Sequence, residues 1–143
     1  YRTVQNRYSL LHREPEAEIF DVCNEHSIAF LPFFPLESGL LTGKVGVKGP
    51  RPGTRLAEWP QDRLDLFIDE RKLLTVSKLI EWLKHRGRTL LELAFSWLLM
   101  RSEIPSVIAG ATSADQVLAN SLASGWQLNA VELAEVDDIL SNS

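Results

Sequence analysis

The chain has 143 residues, of which 45% are hydrophobic and 24% are charged, a composition typical of a globular protein with a buried core. Its formal net charge is −4 and it contains no block of Lys and Arg, so we expect no nucleic-acid-binding surface. No stretch reaches the roughly 18 apolar residues of a membrane-spanning helix, and we expect no membrane partner.

The cysteine and histidine content argues against a disulfide or a metal site. Cys23 is the single cysteine, and its apolar neighbours predict a buried thiol on a helix, which fits a reducing cytoplasm. His12, His26 and His85 lie far apart without the spacing of metal ligands, so we expect no bound metal. The chain begins with Tyr1 in the middle of a pattern, and we expect a fragment of a longer protein.

The first third predicts a strand, a helix and a second strand. A strand is expected near residues 2–6, followed by a helix over 15–26, where Pro15 suits the first turn and nearby glutamates favour the N-terminal dipole. The apolar run 28–33 is typical of a strand buried on both faces, as strands of parallel sheets are.

A long connection follows, from Pro35 to Arg71, rich in glycine and proline. Connections of this length are usually functional or disordered, and we expect this one at the carboxyl ends of the strands. Val76 to Leu83 then show the spacing of a helix with one apolar face, and Gly87 is expected to end it.

The last third predicts helices with capping residues at their starts. Thr89 and Ser113 each precede a Glu or Gln by three positions, the form of a capping box, and Asn129 is expected to cap a final helix. A strand is predicted over 106–109. Three strands that alternate with helices indicate right-handed βαβ units and a parallel α/β sheet.

The stretch GATSADQVLAN, residues 110–120, has two interpretations. A glycine after a strand lets a ligand approach the backbone, and a helix N-terminus offers free N–H groups to a phosphate. Alternatively, Gly110 only eases the turn and Ser113 only caps the helix. The motif by itself favours the ordinary turn, because short motifs of this kind recur by chance.

The order of three segments along the chain favours the ligand site. They are VQNRYSLLHREPE (4–16), FLPFFPLESGLLTGK (30–44) and IAGATSADQVLAN (108–120). Together they resemble the aldo-keto reductases. The resemblance implies a (β/α)8 TIM barrel, of which residues 1–143 form the C-terminal half, with strands six to eight and their helices. It also implies NADPH-dependent reduction of an aldehyde or ketone, a small-molecule carbonyl substrate, and an N-terminal half of the barrel as the missing partner.

The resemblance assigns cofactor contacts by position. Gln5 matches the residue that hydrogen-bonds the nicotinamide carboxamide, and Phe33 matches the aromatic that stacks on the nicotinamide ring. On composition alone, Gln5 is a polar residue of the barrel and Phe33 belongs to the core. The residues implied at the pyrophosphate are Phe34, Leu36, Ser38, Gly39 and Leu41, and those implied at the adenosine half are Gly110, Ala111, Thr112, Gln116 and Asn120.

The sequence departs from the family pattern around the phosphates. Phe34 stands where Ser is common, and Glu37 places a negative charge beside the expected path of the pyrophosphate. Cations of the same loop are candidates to offset it, namely Lys44, Lys48, Arg51 and Arg55. Thr112 and Gln116 are neutral where many relatives place Arg or Lys, so NADPH is expected from the family, with NADH as the alternative.

No residue of this chain is assigned a catalytic role, because the signatures that carry the family's Asp, Tyr, Lys and His tetrad are absent, and Tyr8 is not a substitute. Two functions remain open. The chain belongs to a working reductase whose acid lies elsewhere, or to a non-catalytic, regulatory module that binds a nicotinamide cofactor. A standalone α/β dinucleotide-binding domain is disfavoured, because no GxGxxG turn is present.

Overall fold

The computed structural model describes residues 1–46 and 49–142, in which strands alternate with helices. The strands are β1 Thr3–Arg7, β2 Ala29–Phe33, β3 Val45–Gly46 and β4 Gly49–Pro50. The helices are α1 Pro15–Glu18, α2 Phe20–His26, α3 Gln61–Phe67, α4 Glu70–Leu83, α5 Leu90–Leu99, α6 Ala114–Ala123 and α7 Ala130–Ser141. Two short 3-10 helices occupy Glu37–Thr42 and Arg55–Glu58.

The strands β1 and β2 pair in parallel, with Thr3 opposite Ala29 and Arg7 opposite Phe33, which confirms the predicted orientation. The prediction of a third strand over 106–109 is wrong, because only one parallel bridge forms there, between Phe33 and Ile108.

The missing ladder follows from the composition of β2. Its Pro32 carbonyl accepts a 3.0 Å hydrogen bond from the amide of Ile108, and the amide of Phe30 donates to Glu103 on the same side at 2.8 Å. Pro32 has no N–H to donate between these two bonds, so pairing along this edge cannot continue.

Two predicted helix starts are confirmed, but one helix that was predicted to be continuous is interrupted. The helix expected over 15–26 is interrupted at Ile19, where φ is −101°. The capping box at Thr89 is confirmed, and the predicted cap at Asn129 is confirmed as part of a further box with Glu132. No helix in the described part of the chain is long and apolar enough to cross a membrane.

The core forms around the carboxyl end of β1. The Tyr8 ring lies 5.1 Å from Phe20, 5.7 Å from Phe30 and 5.4 Å from Trp97, measured between centroids. Cys23 of α2 is buried in the same cluster, as predicted.

The connection 35–71, for which the sequence predicts a long loop that is functional or disordered, contains regular structure. It contains α3, and α4 already begins at Glu70, before the predicted end of the loop. A small core of its own holds it together, formed by the buried side chains of Leu40, Val45 and Leu56. These apolar residues are too widely spaced along the chain to show helix or strand periodicity, so the sequence hides them.

Candidate functional site

The candidate site lies at the carboxyl edge of the parallel strands. Phe33 is the last residue of β2, and it stands between Arg7, the last residue of β1, and Ile108. The parallel direction brings the segments that leave this edge together. The predicted residues in those segments are Phe34, Leu36, Ser38, Gly39, Leu41, Gly110, Ala111 and Thr112.

The segment after β2 has an unusual backbone. Phe34, Glu37 and Ser38 have φ values of 60°, 46° and 53°, and Gly39 has a φ of 108°. Residues other than glycine rarely adopt this left-handed region of φ and ψ. Those that do adopt it cluster at ligand sites. The turn is closed by backbone hydrogen bonds to Leu36, whose carbonyl accepts from Gly39 at 2.8 Å and from Leu41 at 3.2 Å.

A buried ion pair fixes this segment to β1. The Glu37 side chain is completely buried, and its carboxylate accepts hydrogen bonds from Arg7 Nε at 3.1 Å and from Arg7 Nη2. Ser9 Oγ donates a further bond to it at 2.9 Å. The hydrogen bond to Glu37 raises the pKa of Arg7.

The location of Glu37 corrects the expectation that it faces the phosphate path and is offset by cations of its own loop. The charge is turned inward and neutralised by Arg7, while Lys44, Arg51 and Arg55 are exposed. Lys48 lies outside the described residues. The signal in the sequence was a carboxylate within an otherwise apolar segment, which requires a cation when it is buried.

Two aromatic rings are accessible at the strand edge. The exposed fractions of Phe33 and Phe34 are 38% and 43%, and their rings meet edge-to-face with centroids 6.2 Å apart. Gln5 is exposed on β1, opposite Leu31 and two residues before the edge. Phe33 is therefore not a core residue, and it offers a flat apolar face to a planar ligand.

The remaining residues of the segment differ in what they offer. Leu41 is completely buried and Leu36 is half-buried against the same core, so Leu41 has only its backbone for a ligand. Ser38 Oγ is buried without a hydrogen-bond partner. Because buried hydroxyl groups are almost always paired, this one fits a polar ligand such as a phosphate group.

Gly110 opens the second segment. A Cβ added to Gly110 would meet no atom within 4 Å, so packing within the described chain does not require a glycine there. The open space fits the close approach of a ligand to the backbone.

The start of α6 is capped differently from the prediction. Ser113 Oγ accepts from the amide of Gln116 at 3.3 Å, as expected. The Gln116 side chain, however, accepts from the amide of Thr112 at 2.8 Å rather than from that of Ser113, so the predicted reciprocal box is wrong. The same oxygen accepts a second hydrogen bond, from the Thr112 hydroxyl, at 3.2 Å.

Asn120 lines a cavity of about 340 Å³ between α5, the segment 105–111 and α6. Ala109 and Ala111 also line it, whereas Gln116, Phe33 and Gln5 do not. The structure thus brings Asn120 to the turn after Ile108 but does not gather it with Gln5 and Phe33 around this cavity.

Tyr8 does not face the candidate site. Its side chain is fully buried, its hydroxyl donates a 2.6 Å bond to Glu16, and burial raises its pKa. A group held in this way cannot act as a proton donor at the strand edge.

Within residues 1–46 and 49–142, no group of three His, Cys, Asp or Glu side chains is arranged to hold a metal ion.

Comparison with known proteins finds a family whose model covers almost the whole chain. The family model described as "Aldo/keto reductase family" matches residues 2–141. The chain is 32% identical to the NADH-specific methylglyoxal reductase of Escherichia coli (strain K12), over 82% of this chain and 35% of that protein.

Two further relatives match over almost the whole chain. It is 29% identical to the L-glyceraldehyde 3-phosphate reductase of Escherichia coli (strain K12), over 96% of this chain and 41% of that protein. It is also 29% identical to the aldo-keto reductase YhdN of Bacillus subtilis (strain 168), over 99% of this chain and 43% of that protein. The chain therefore spans less than half the length of each of these relatives.

Proposed function

Because this chain belongs to the aldo/keto reductase family, we propose that it supplies the cofactor-binding part of an NADPH-dependent reductase of aldehydes or ketones. The observation that supports this most directly is the left-handed segment after β2. This segment contains the buried Ser38 hydroxyl, which has no hydrogen-bond partner, and it follows the exposed Phe33 ring at the carboxyl end of β2.

The roles proposed for the residues are those that the resemblance to the family implies. Gln5 hydrogen-bonds the nicotinamide carboxamide, and the Phe33 ring covers one face of the nicotinamide and excludes water from it. The pyrophosphate is held by backbone or side-chain groups of Phe34, Leu36, Ser38, Gly39 and Leu41. The adenosine half is held by Gly110, Ala111, Thr112, Gln116 and Asn120. The dinucleotide supplies the hydride that reduces the carbonyl carbon.

We place the group that protonates the carbonyl oxygen outside residues 1–143, since the buried Tyr8 hydroxyl is engaged by Glu16. In this proposal residues 1–143 are the C-terminal half of a (β/α)8 barrel whose other half carries the catalytic groups. The free, buried thiol of Cys23 is compatible with a cytoplasmic protein.

The test is a titration of the full-length protein with NADPH and NADH, followed by an assay of dinucleotide oxidation with a small aldehyde such as methylglyoxal. We expect binding of NADPH and turnover. Tighter binding of NADH would fit the neutral Thr112 and Gln116 and would correct the proposed cofactor. Binding without turnover of any carbonyl would favour the regulatory module, and absence of binding to both dinucleotides would overturn the proposal.

A further inference from the structure

We propose that Arg7 is a positioning residue for the cofactor: it neutralises Glu37 and holds it inward, so that the segment 34–41 presents no net negative charge to a pyrophosphate. This inference rests on the proposed function, because it concerns the same segment. Arg7 and Glu37 belong to none of the cofactor contacts assigned above.

The Glu37 carboxylate receives three hydrogen bonds. Arg7 approaches Glu37 with both Nε and Nη2, so each carboxylate oxygen receives one arm of the guanidinium fork. Ser9 Oγ donates to the first oxygen, and the amide of Leu11 in turn donates to Ser9 Oγ at 3.2 Å. The network thus connects the residues just after β1 with the residue that precedes Ser38.

By neutralising the charge of Glu37, Arg7 affects the binding of an anion as well as the stability of the fold. A buried carboxylate without a partner is strongly destabilised, and it also repels any anion bound nearby. Like charges near a protein surface repel even when they are not in contact, so an unpaired Glu37 is expected to weaken the binding of a nearby anion by about tenfold. Removing Arg7 alone therefore weakens the binding of an anionic dinucleotide, whereas removing both charges does not.

The backbone of this segment also bears on Arg7. Glu37 has a φ of 46°, in a region that is unfavourable for a residue other than glycine. The hydrogen bonds from Arg7 and Ser9 help to offset this cost, while the bonds from Gly39 and Leu41 to the Leu36 carbonyl close the turn without involving Arg7. Arg7 also lies over the Phe67 ring of α3, 5.7 Å from its centroid, so the same side chain contacts both ends of the segment 35–67.

The experiment compares the dinucleotide affinity and the melting temperature of the full-length parent with those of Arg7→Met, Glu37→Gln and the double variant. The matched control is Arg86→Met. Arg86 also pairs with a carboxylate, that of Glu135 at 2.7 Å, and its side chain is 30% exposed compared with 32% for Arg7. Its partners Trp82 and Glu135 lie on α4 and α7, and neither belongs to the segment 34–41.

We expect Arg7→Met to weaken NADPH binding at least tenfold, and the double variant to bind within about threefold of the parent. Arg86→Met lowers the melting temperature but leaves the affinity within about twofold. If Arg7→Met does not fold, Glu37→Gln decides: it leaves Arg7 as an unpaired cation beside the segment 34–41, so it is expected to bind NADPH at least threefold more tightly than the double variant, and equal affinities of the two would overturn the inference.

Three outcomes would overturn the inference. The first is that Arg7→Met binds NADPH with the affinity of the parent. The second is that the double variant binds NADPH as weakly as Arg7→Met does. The third is that Arg86→Met loses as much affinity for NADPH as Arg7→Met. These results differ from a failure of the proposed function, in which the parent itself binds neither NADPH nor NADH.

Discussion

Asn120 shows what a single residue contributes to the candidate site. It is half-buried on α6 and lines the cavity that Ala109 and Ala111 share, with Val107 and Phe95 also in the wall. Ser106, Ser121 and Ser124 line the cavity as well, so its wall offers polar groups together with apolar ones. The Asn120 amide can both donate hydrogen bonds to a ligand that enters and accept hydrogen bonds from it.

Replacing Asn120 with Leu in the full-length protein is therefore expected to weaken NADPH binding by about 1–3 kcal/mol, the range for leaving polar partners unpaired. Quenching of intrinsic tryptophan fluorescence measures the affinity. Ser121→Ala is the control, since Ser121 lines the same cavity without an assigned contact. Unchanged affinity in a variant that melts like the parent would leave residues 110–120 as an ordinary capped turn.

At the scale of elements, one carboxylate connects α1 to the residues after β1 and to Arg101, which follows α5. Glu16 accepts hydrogen bonds from the Tyr8 hydroxyl at 2.6 Å and from two nitrogens of Arg13 at 2.8 and 2.9 Å, and Arg101 approaches it at 3.5 Å. Burial raises the pKa of Glu16, but the hydrogen bonds from Arg13 and Tyr8 outweigh burial, and the pKa is lowered from the ordinary 4.5.

The sign of this shift gives a prediction for stability. A carboxyl whose pKa is depressed by folding stabilises the native state above its ordinary pKa of 4.5, and this contribution is lost as the pH falls through the folded value. We expect Glu16→Gln to destabilise the full-length protein by roughly 1–2 kcal/mol at pH 7 and by less at pH 3, as measured by thermal melting.

The control for this prediction is Glu18→Gln, because Glu18 lies on the same helix and is exposed. It should leave the pH dependence of the melting temperature as in the parent. An equal loss of stability at pH 7 and pH 3 in Glu16→Gln would contradict the linkage.

At the scale of the whole molecule, residues 1–143 leave apolar surface uncovered. On α6 the side chains of Val117, Leu118 and Leu122 are 59%, 60% and 71% exposed, and β1 pairs along only one of its edges within the described residues. Exposed helix faces and open strand edges favour association with another chain.

We therefore expect residues 1–143, expressed alone, to self-associate or to fold poorly. Size-exclusion chromatography with light scattering measures the association, and calorimetry measures the cooperativity of melting. Replacing Leu118 and Leu122 by Glu is expected to reduce the association, whereas the same change at two exposed polar positions of α6, Asp115 and Ser121, should not. If the unchanged residues 1–143 are monomeric and melt cooperatively, the exposed face of α6 does not require a partner chain, and the prediction is wrong.

The sequence by itself determined the local features of this protein. The starts of α5 and α7 follow from Thr89 and Asn129, whose side chains satisfy backbone donors three residues away, and such contacts require no distant partner. The parallel direction of β1 and β2 follows from the helical connection between them. The three ordered segments were enough to indicate the family that the comparison over residues 2–141 shows.

Only the tertiary structure decided which groups meet across long separations. Nothing near Glu37 in sequence reveals that Arg7, 30 positions away, neutralises it, because burial and pairing depend on where two segments cross. The failure of residues 106–109 to form a strand likewise depends on the neighbour they face, where Pro32 lacks the N–H that a continued ladder needs. The left-handed turn from Glu37 to Gly39 exists because an ion pair and a buried core offset its cost, and neither is visible in local sequence.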